Sequence, residues 1–160
     1  STLYTLHSTF YTLHSTLYPI MEKHFEYTDD EFVSLINNCK LNPDDFTHEA
    51  HLRLAWINIK KYGLEKGERE IQVHIKTFAE AAGATAKFHV TLTIAAYRAV
   101  NHFVNKSSAD NFIDFISEFP QLKYNFKELI ASHYKNDILN SEIARKEFLA
   151  PDLTAFYNIK

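Results

Sequence analysis

Four histidines carry the chemistry this sequence could do. His48 and His51 stand three residues apart in Phe46-Thr-His-Glu-Ala-His-Leu-Arg-Leu-Ala-Trp56, His74 interrupts an apolar stripe, and His89 opens the most hydrophobic stretch. Imidazole is a poor core filler but a good metal ligand and proton carrier. Nitrogens from His48, His51, His74 and His89, brought together from separate helices, suit Zn²⁺ or another divalent metal, with or without an open coordination position. At helical spacing His48 and His51 share one face, continued by Ala55, Asn58 and Tyr62. Glu49 falls off that face and is a poor ligand candidate. A polar pocket for a small-molecule ligand, built from His48, His51, His89 and Thr93, is an equal reading. Structural histidines with satisfied ring nitrogens are the third.

The elements that must position these rings are helical. Thr28-Asp-Asp-Glu31 is a capping box with an apolar stripe behind it: Phe32, Val33, Leu35, Ile36 and Cys39. Asn42-Pro43-Asp44-Asp45 breaks the chain. A second helix runs from about Thr47 to Tyr62 and ends at Gly63, a natural C-terminal cap. The third spans roughly Leu64–Ala82 and is closed by Gly83, with Ile71, His74, Ile75 and Phe78 on one face. A fourth, from about Lys87 to Asn105, is apolar nearly all round, as befits a central buried helix; Leu92 and Ile75 belong to the expected core. A short helix carrying Phe112, Ile113, Phe115 and Ile116 stops at Pro120, and two more lie near Asn125–Ala131 and Ser141–Leu149. No alternating strand pattern survives. The expected fold is all-α, a compact single-domain bundle of about six or seven helices over residues 21–160.

Residues 1–20 differ in kind. Ser-Thr-Leu-Tyr-Thr-Leu-His is copied almost unchanged and begun a third time, before Met21. The unit is too short for a solenoid and lacks the e/g charges of a coiled coil. It reads as a duplicated extension outside the fold, with Met21 as the ancestral start; repetition accounts for His7 and His14.

Composition narrows the function classes. With 17 basic and 20 acidic residues the net charge is −3, which gives no basic patch for nucleic acid. No apolar run reaches the ~20 residues of a membrane span. One cysteine, Cys39, excludes an internal disulfide and any multi-cysteine zinc site. A cytoplasmic location is the default expectation. Three glycines cannot build a phosphate-binding loop. Ser132, His133 and Asp137 supply triad residue types but no nucleophile elbow. Arg53 and Arg98 could clamp an anion; structural pairing with Asp114 or Glu68 is the alternative.

The motif Phe46-Thr-His-Glu-Ala-His-Leu-Arg-Leu-Ala-Trp56, followed by Lys87-Phe-His-Val-Thr-Leu-Thr93, resembles a family of small uncharacterised bacterial all-helical proteins. Its pattern is Phe-x-His-x-x-His-(Leu/Val)-x-x-Ala-Trp, then Tyr-His-Glu-Thr-(Ile/Leu)-Thr. His133-Tyr134, Ala144-Arg145-Lys-Glu-Phe148 and Pro151-Asp152 are similar to its tail. The resemblance covers about residues 29–153. It implicates His48, His51, His89, Thr91 and Thr93, and supports a site without naming a reaction. Val90 stands where the pattern has a glutamate, so any ligand or base role of that carboxylate is missing here. The sequence thus points to a binding protein for a metal or small molecule, with a histidine-lined cavity between the second, third and fourth helices. A metal-dependent enzyme and an interaction module are the alternatives.

Overall fold

Side-chain caps set where the main helices begin. In the computed structural model, which describes residues 21–158, α1 (Asp29–Asn37) starts at Thr28, whose side chain accepts from the Glu31 N–H. The Glu31 carboxylate returns the bond to the Thr28 N–H at 2.9 Å, completing the capping box. α2 (His48–Ala81) starts at Thr47, whose hydroxyl oxygen accepts from the Ala50 N–H. α3 (Val90–Val104) follows His89; α4 (Phe112–Glu118) is capped by Asn111. Then come α5 (Gln121–Tyr124), α6 (Phe126–Ala131) and α7 (Glu142–Lys146), the last capped by Ser141. Short 3-10 turns at Lys23–Glu26, Pro43–Asp45, Thr85–Lys87 and Phe156–Asn158 complete the path, with no strand among the described residues. The fold is all-α, as expected. The repeat at residues 1–20 lies outside the described residues.

Although its helical hydrogen bonding is nearly continuous, α2 is two arms. Gly63 has φ 72 and ψ −166, a left-handed conformation that an L side chain resists. In a straight helix Leu52 and Ile75 would lie about 35 Å apart at 1.5 Å per residue. Instead they line the same cavity, so the second arm folds back along the first. The sequence break at Gly63 is real, but no loop separates the arms. Tyr97 of α3 fills the crotch: it is 0% exposed and its hydroxyl donates to the Gly63 carbonyl at 2.8 Å. Gly67 leaves room for that ring, since a Cβ there would stand 1.7 Å from Tyr97 Oη.

α3 packs chiefly on α2, while α7 and the 156–158 turn cover its other side. Aromatic rings of Trp56, Phe103, Phe112, Phe115 and Phe119 join the first arm, α3 and α4 in one cluster. Leu92 and Ile75, expected in the core, are only partly buried and instead wall the cavity. The sequence stripe marked the inward face without registering a void. Cys39 is likewise not packed as a core residue; it is half-buried and takes φ 55, ending α1 in a left-handed turn.

The N-terminal segment is bound down by Arg53, 5% exposed. Its guanidinium donates to the carbonyls of His24 and Tyr27 and to the Asp29 carboxylate. It also lies over the rings of Phe25 and Phe32. Its acidic partner is therefore Asp29 and neither Asp114 nor Glu68. Arg98 takes Glu68 in a two-point pair of 2.8 and 3.0 Å.

Candidate functional site

A cavity of about 270 Å³ opens between the two arms of α2, the start of α3 and α6. Its lining is mainly apolar, from Leu52, Ala55, Ile71, Ile75, Leu92 and Phe126, and its polar groups include His48, His51, His89, Thr93 and Lys87. The ligand-binding residues read from the sequence thus border one space, as their joint placement at the starts of α2 and α3 allows. The two N-terminal rings of α2 are held by their outer nitrogens. His48 Nε2 donates to the Leu122 carbonyl at 2.8 Å and the ring leans on Phe126. His51 Nδ1 donates to the Thr47 carbonyl at 2.6 Å, and Phe46 stacks on its face at 3.7 Å. Among the described residues, those bonds leave His51 Nε2 and His48 Nδ1 without a hydrogen bond. Burial pushes His51 down to about 4, outweighing the Thr47 carbonyl that favours its charged form, so the ring is neutral at pH 7.

His89 does a different job. Its Nδ1 accepts the Leu92 N–H at 3.1 Å, making it the N-cap of α3, and Nε2 donates to the Ile138 carbonyl at 3.0 Å. Both ring nitrogens are engaged, so no lone pair is left for a metal without uncapping the helix. Thr93 bonds the His89 carbonyl at 2.8 Å, not the ring. Thr91, fully buried, donates to the Glu147 carbonyl and accepts the Leu149 N–H, clasping the C-terminal segment to α3. Three of the residues implicated by the resemblance, His89, Thr91 and Thr93, are therefore held in structural bonds.

The N-cap assignment has a pH consequence. Burial, reinforced by Arg145, holds His89 below the usual imidazole range against the opposing pull of the Ile138 carbonyl. Protonation would put a second N–H against the Leu92 N–H. The unfolded chain takes up this proton near pH 6.5 and the folded chain resists it. Stability from this source is full above pH 6.5 and falls as pH drops below it. His89→Ala should cost about 2–3 kcal/mol at pH 7, from the lost cap and the orphaned Ile138 carbonyl. His89→Asn keeps a cap acceptor that does not titrate. Its urea-derived stability should fall less than wild type's between pH 7 and 5; parallel losses would refute the cap's titration.

His74 stands apart from the other three. It borders a second cavity with Asn58, Tyr62 and Asp30, and its Nε2 lies 3.9 Å from the Glu70 carboxylate. Among the described residues no three of His48, His51, His74 and His89 bring ligand atoms within 4.8 Å of one another. The four-histidine zinc set expected from the sequence is not assembled, because His89 is spent on its cap and His74 faces another opening. One group does meet that spacing: Glu22, His24 and Glu49. Sequence reasoning passed over it; Glu49 was set aside because it lies off the histidine face, yet that second face is buried too.

The triad residue types do not converge either. Ser132 Oγ donates to the Leu129 carbonyl, His133 Nδ1 to the Thr154 carbonyl, and Asp137 accepts from the Leu139 and Asn140 N–H groups. The tail motif is a clasp. Tyr134 donates to the Leu149 carbonyl, Asp152 accepts the Lys135 N–H, and Arg145 donates to the Ala86 and Phe88 carbonyls. Among the described residues no helix is long and apolar enough to cross a membrane. The chain matches no protein-family model, no curated protein and no solved structure.

Proposed function

We propose that the protein binds a small, largely apolar molecule carrying one hydroxyl or N–H donor, in the cavity bordered by His48 and His51. One observation carries this reading: His51 borders a mainly apolar cavity while its Nδ1 proton is fixed on the Thr47 carbonyl and its Nε2 makes no hydrogen bond among the described residues. A neutral imidazole in that state offers a single oriented acceptor, the kind of lone polar point that orients a ligand in an apolar pocket. A volume of about 270 Å³ suits a ligand of roughly one ring with substituents. Stacking on Phe46 holds the ring in place before any ligand arrives, which lowers the ordering cost of binding.

Phenol and benzene, equal in shape and different by one donor, are the probes. At ten times its dissociation constant phenol should stabilise the fold by about 1.4 kcal/mol. That corresponds to a melting shift of roughly 4 °C at this chain length. Benzene should need several-fold higher concentration for the same shift. His51→Phe, which keeps the ring and removes the acceptor, should erase the difference between the two. Equal responses to both probes in the wild type, or none at millimolar concentration, would overturn the reading.

A further inference from the structure

Away from the cavity, the first turn of α2 sends Glu49 toward the N-terminal segment. Glu49 is 4% exposed and His24 is 0% exposed, and among the described residues neither nitrogen of the His24 ring makes a hydrogen bond. A buried ring with both nitrogens unused is rare in a folded protein. One ligand atom each from Glu22, His24 and Glu49 lies within 4.8 Å of the other two. His24 Nε2 stands 3.4 Å from Glu22 Oε2, at ion-pair distance. Two ligands of a tetrahedral Zn²⁺ with bonds near 2.05 Å lie about 3.3 Å apart. That spacing is a coordination edge.

The surroundings hold the three groups in place. Arg53 binds the His24 carbonyl, and the Thr47 hydroxyl donates to Glu22 Oε2. Lys123 of α5 pairs with Glu49 Oε2, so the cluster already holds one cation at its rim. Its side chain is 31% exposed and can leave for solvent. An ordinary Lys–Glu pair accounts for Glu49, while Glu22 faces only one of the two His24 nitrogens.

We propose that Glu22, His24 and Glu49 form a binding site for one divalent transition-metal ion, with Lys123 as the cation that the metal displaces. Two carboxylates neutralise the ion's charge in a buried place, and the imidazole selects Zn²⁺-like ions over Mg²⁺. Three protein ligands leave a position open for water. The ion would fasten the segment before α1 to the start of α2, so binding raises the melting temperature.

The test uses the full chain, free of any affinity tag and stripped with a chelator, titrated with ZnCl₂ and separately with MgCl₂. Calorimetry should give one high-affinity Zn²⁺ equivalent and none for Mg²⁺, with a rise in melting temperature at saturation. Glu49→Gln and His24→Gln should each weaken that equivalent at least tenfold. Lys123→Met should tighten it, because the competing ammonium is gone. This opposite sign separates coordination from a structural ion pair, whose loss would leave Zn²⁺ affinity unchanged. Circular dichroism checks that each variant is folded, and the wild-type titration stands if one is not. Absence of a Zn²⁺ equivalent, equal Mg²⁺ binding, wild-type affinity in folded His24→Gln or Glu49→Gln, or unchanged or weaker affinity in Lys123→Met would overturn the proposal.

Discussion

Gly67→Ala should destabilise the protein by about 1–2 kcal/mol, although alanine is the better helix former. Propensity alone would favour the change by about 1 kcal/mol. Against that, the new Cβ would lie 1.7 Å from Tyr97 Oη, 2.8 Å from Cζ and 3.1 Å from the Asn58 carbonyl. Tyr97 cannot swing away, since it is fully buried with its hydroxyl on the Gly63 carbonyl. Overpacking of this kind typically costs 1–3 kcal/mol, occasionally more, and it outweighs the propensity gain. Tyr97→Phe alone should lose about 1–2 kcal/mol, by orphaning the Gly63 carbonyl. It also removes the atom in closest conflict. The double variant should therefore be at least about 1 kcal/mol more stable than the sum of the single changes. Urea denaturation of the four proteins decides it. A neutral or stabilising Gly67→Ala would mean that the arms of α2 do not close on Tyr97.

Arg53→Met should cost about 2–4 kcal/mol, chiefly from leaving the carbonyls that its guanidinium bonds without a partner. The methionine keeps the stem that packs between Phe25 and Phe32, so the loss isolates the guanidinium. Three acceptors would then be left behind: the carbonyls of His24 and Tyr27, and Asp29, which currently receives bonds of 2.7 and 3.1 Å. Lysine should recover less than half, because one ammonium cannot reproduce the planar fork that reaches all three. Equilibrium unfolding at pH 7 measures the size. Limited proteolysis supplies the location: cleavage should appear first between Met21 and Asp29 in the methionine variant. A loss under about 1 kcal/mol, or no new cleavage, would show that the segment is held by its aromatic contacts alone.

These two changes also mark where reading the chain residue by residue stops. Much that near neighbours govern was legible: the Thr28 capping box, the helix start near Thr47, the break at Gly63 and the apolar face of α3 all involve groups within about one turn of each other. The grouping of His48, His51 and His89 was visible because each sits at or near a helix start that local signals announce. Their roles were not. Whether an imidazole is a free acceptor, a cap or a ligand depends on what its second nitrogen meets: the Leu122 carbonyl for His48, and Ile138 for His89. Those partners lie 74 and 49 residues along the chain.

The same limit hid the cluster at Glu22, His24 and Glu49. His24 lies in a 3-10 turn with no periodic pattern, and Glu49 falls off the histidine face on a helical wheel that assumes one buried side. Both are buried by elements that are distant in sequence, Arg53 fastening one and Lys123 meeting the other. Composition, caps and periodicity by themselves determined an all-helical chain and the approximate extent of its main helices, because those depend on bonds between residues a turn apart. The folding back of α2, the cavity it encloses and the task of each histidine were decided by tertiary contacts, because a buried polar group takes its function from the partner that close packing delivers.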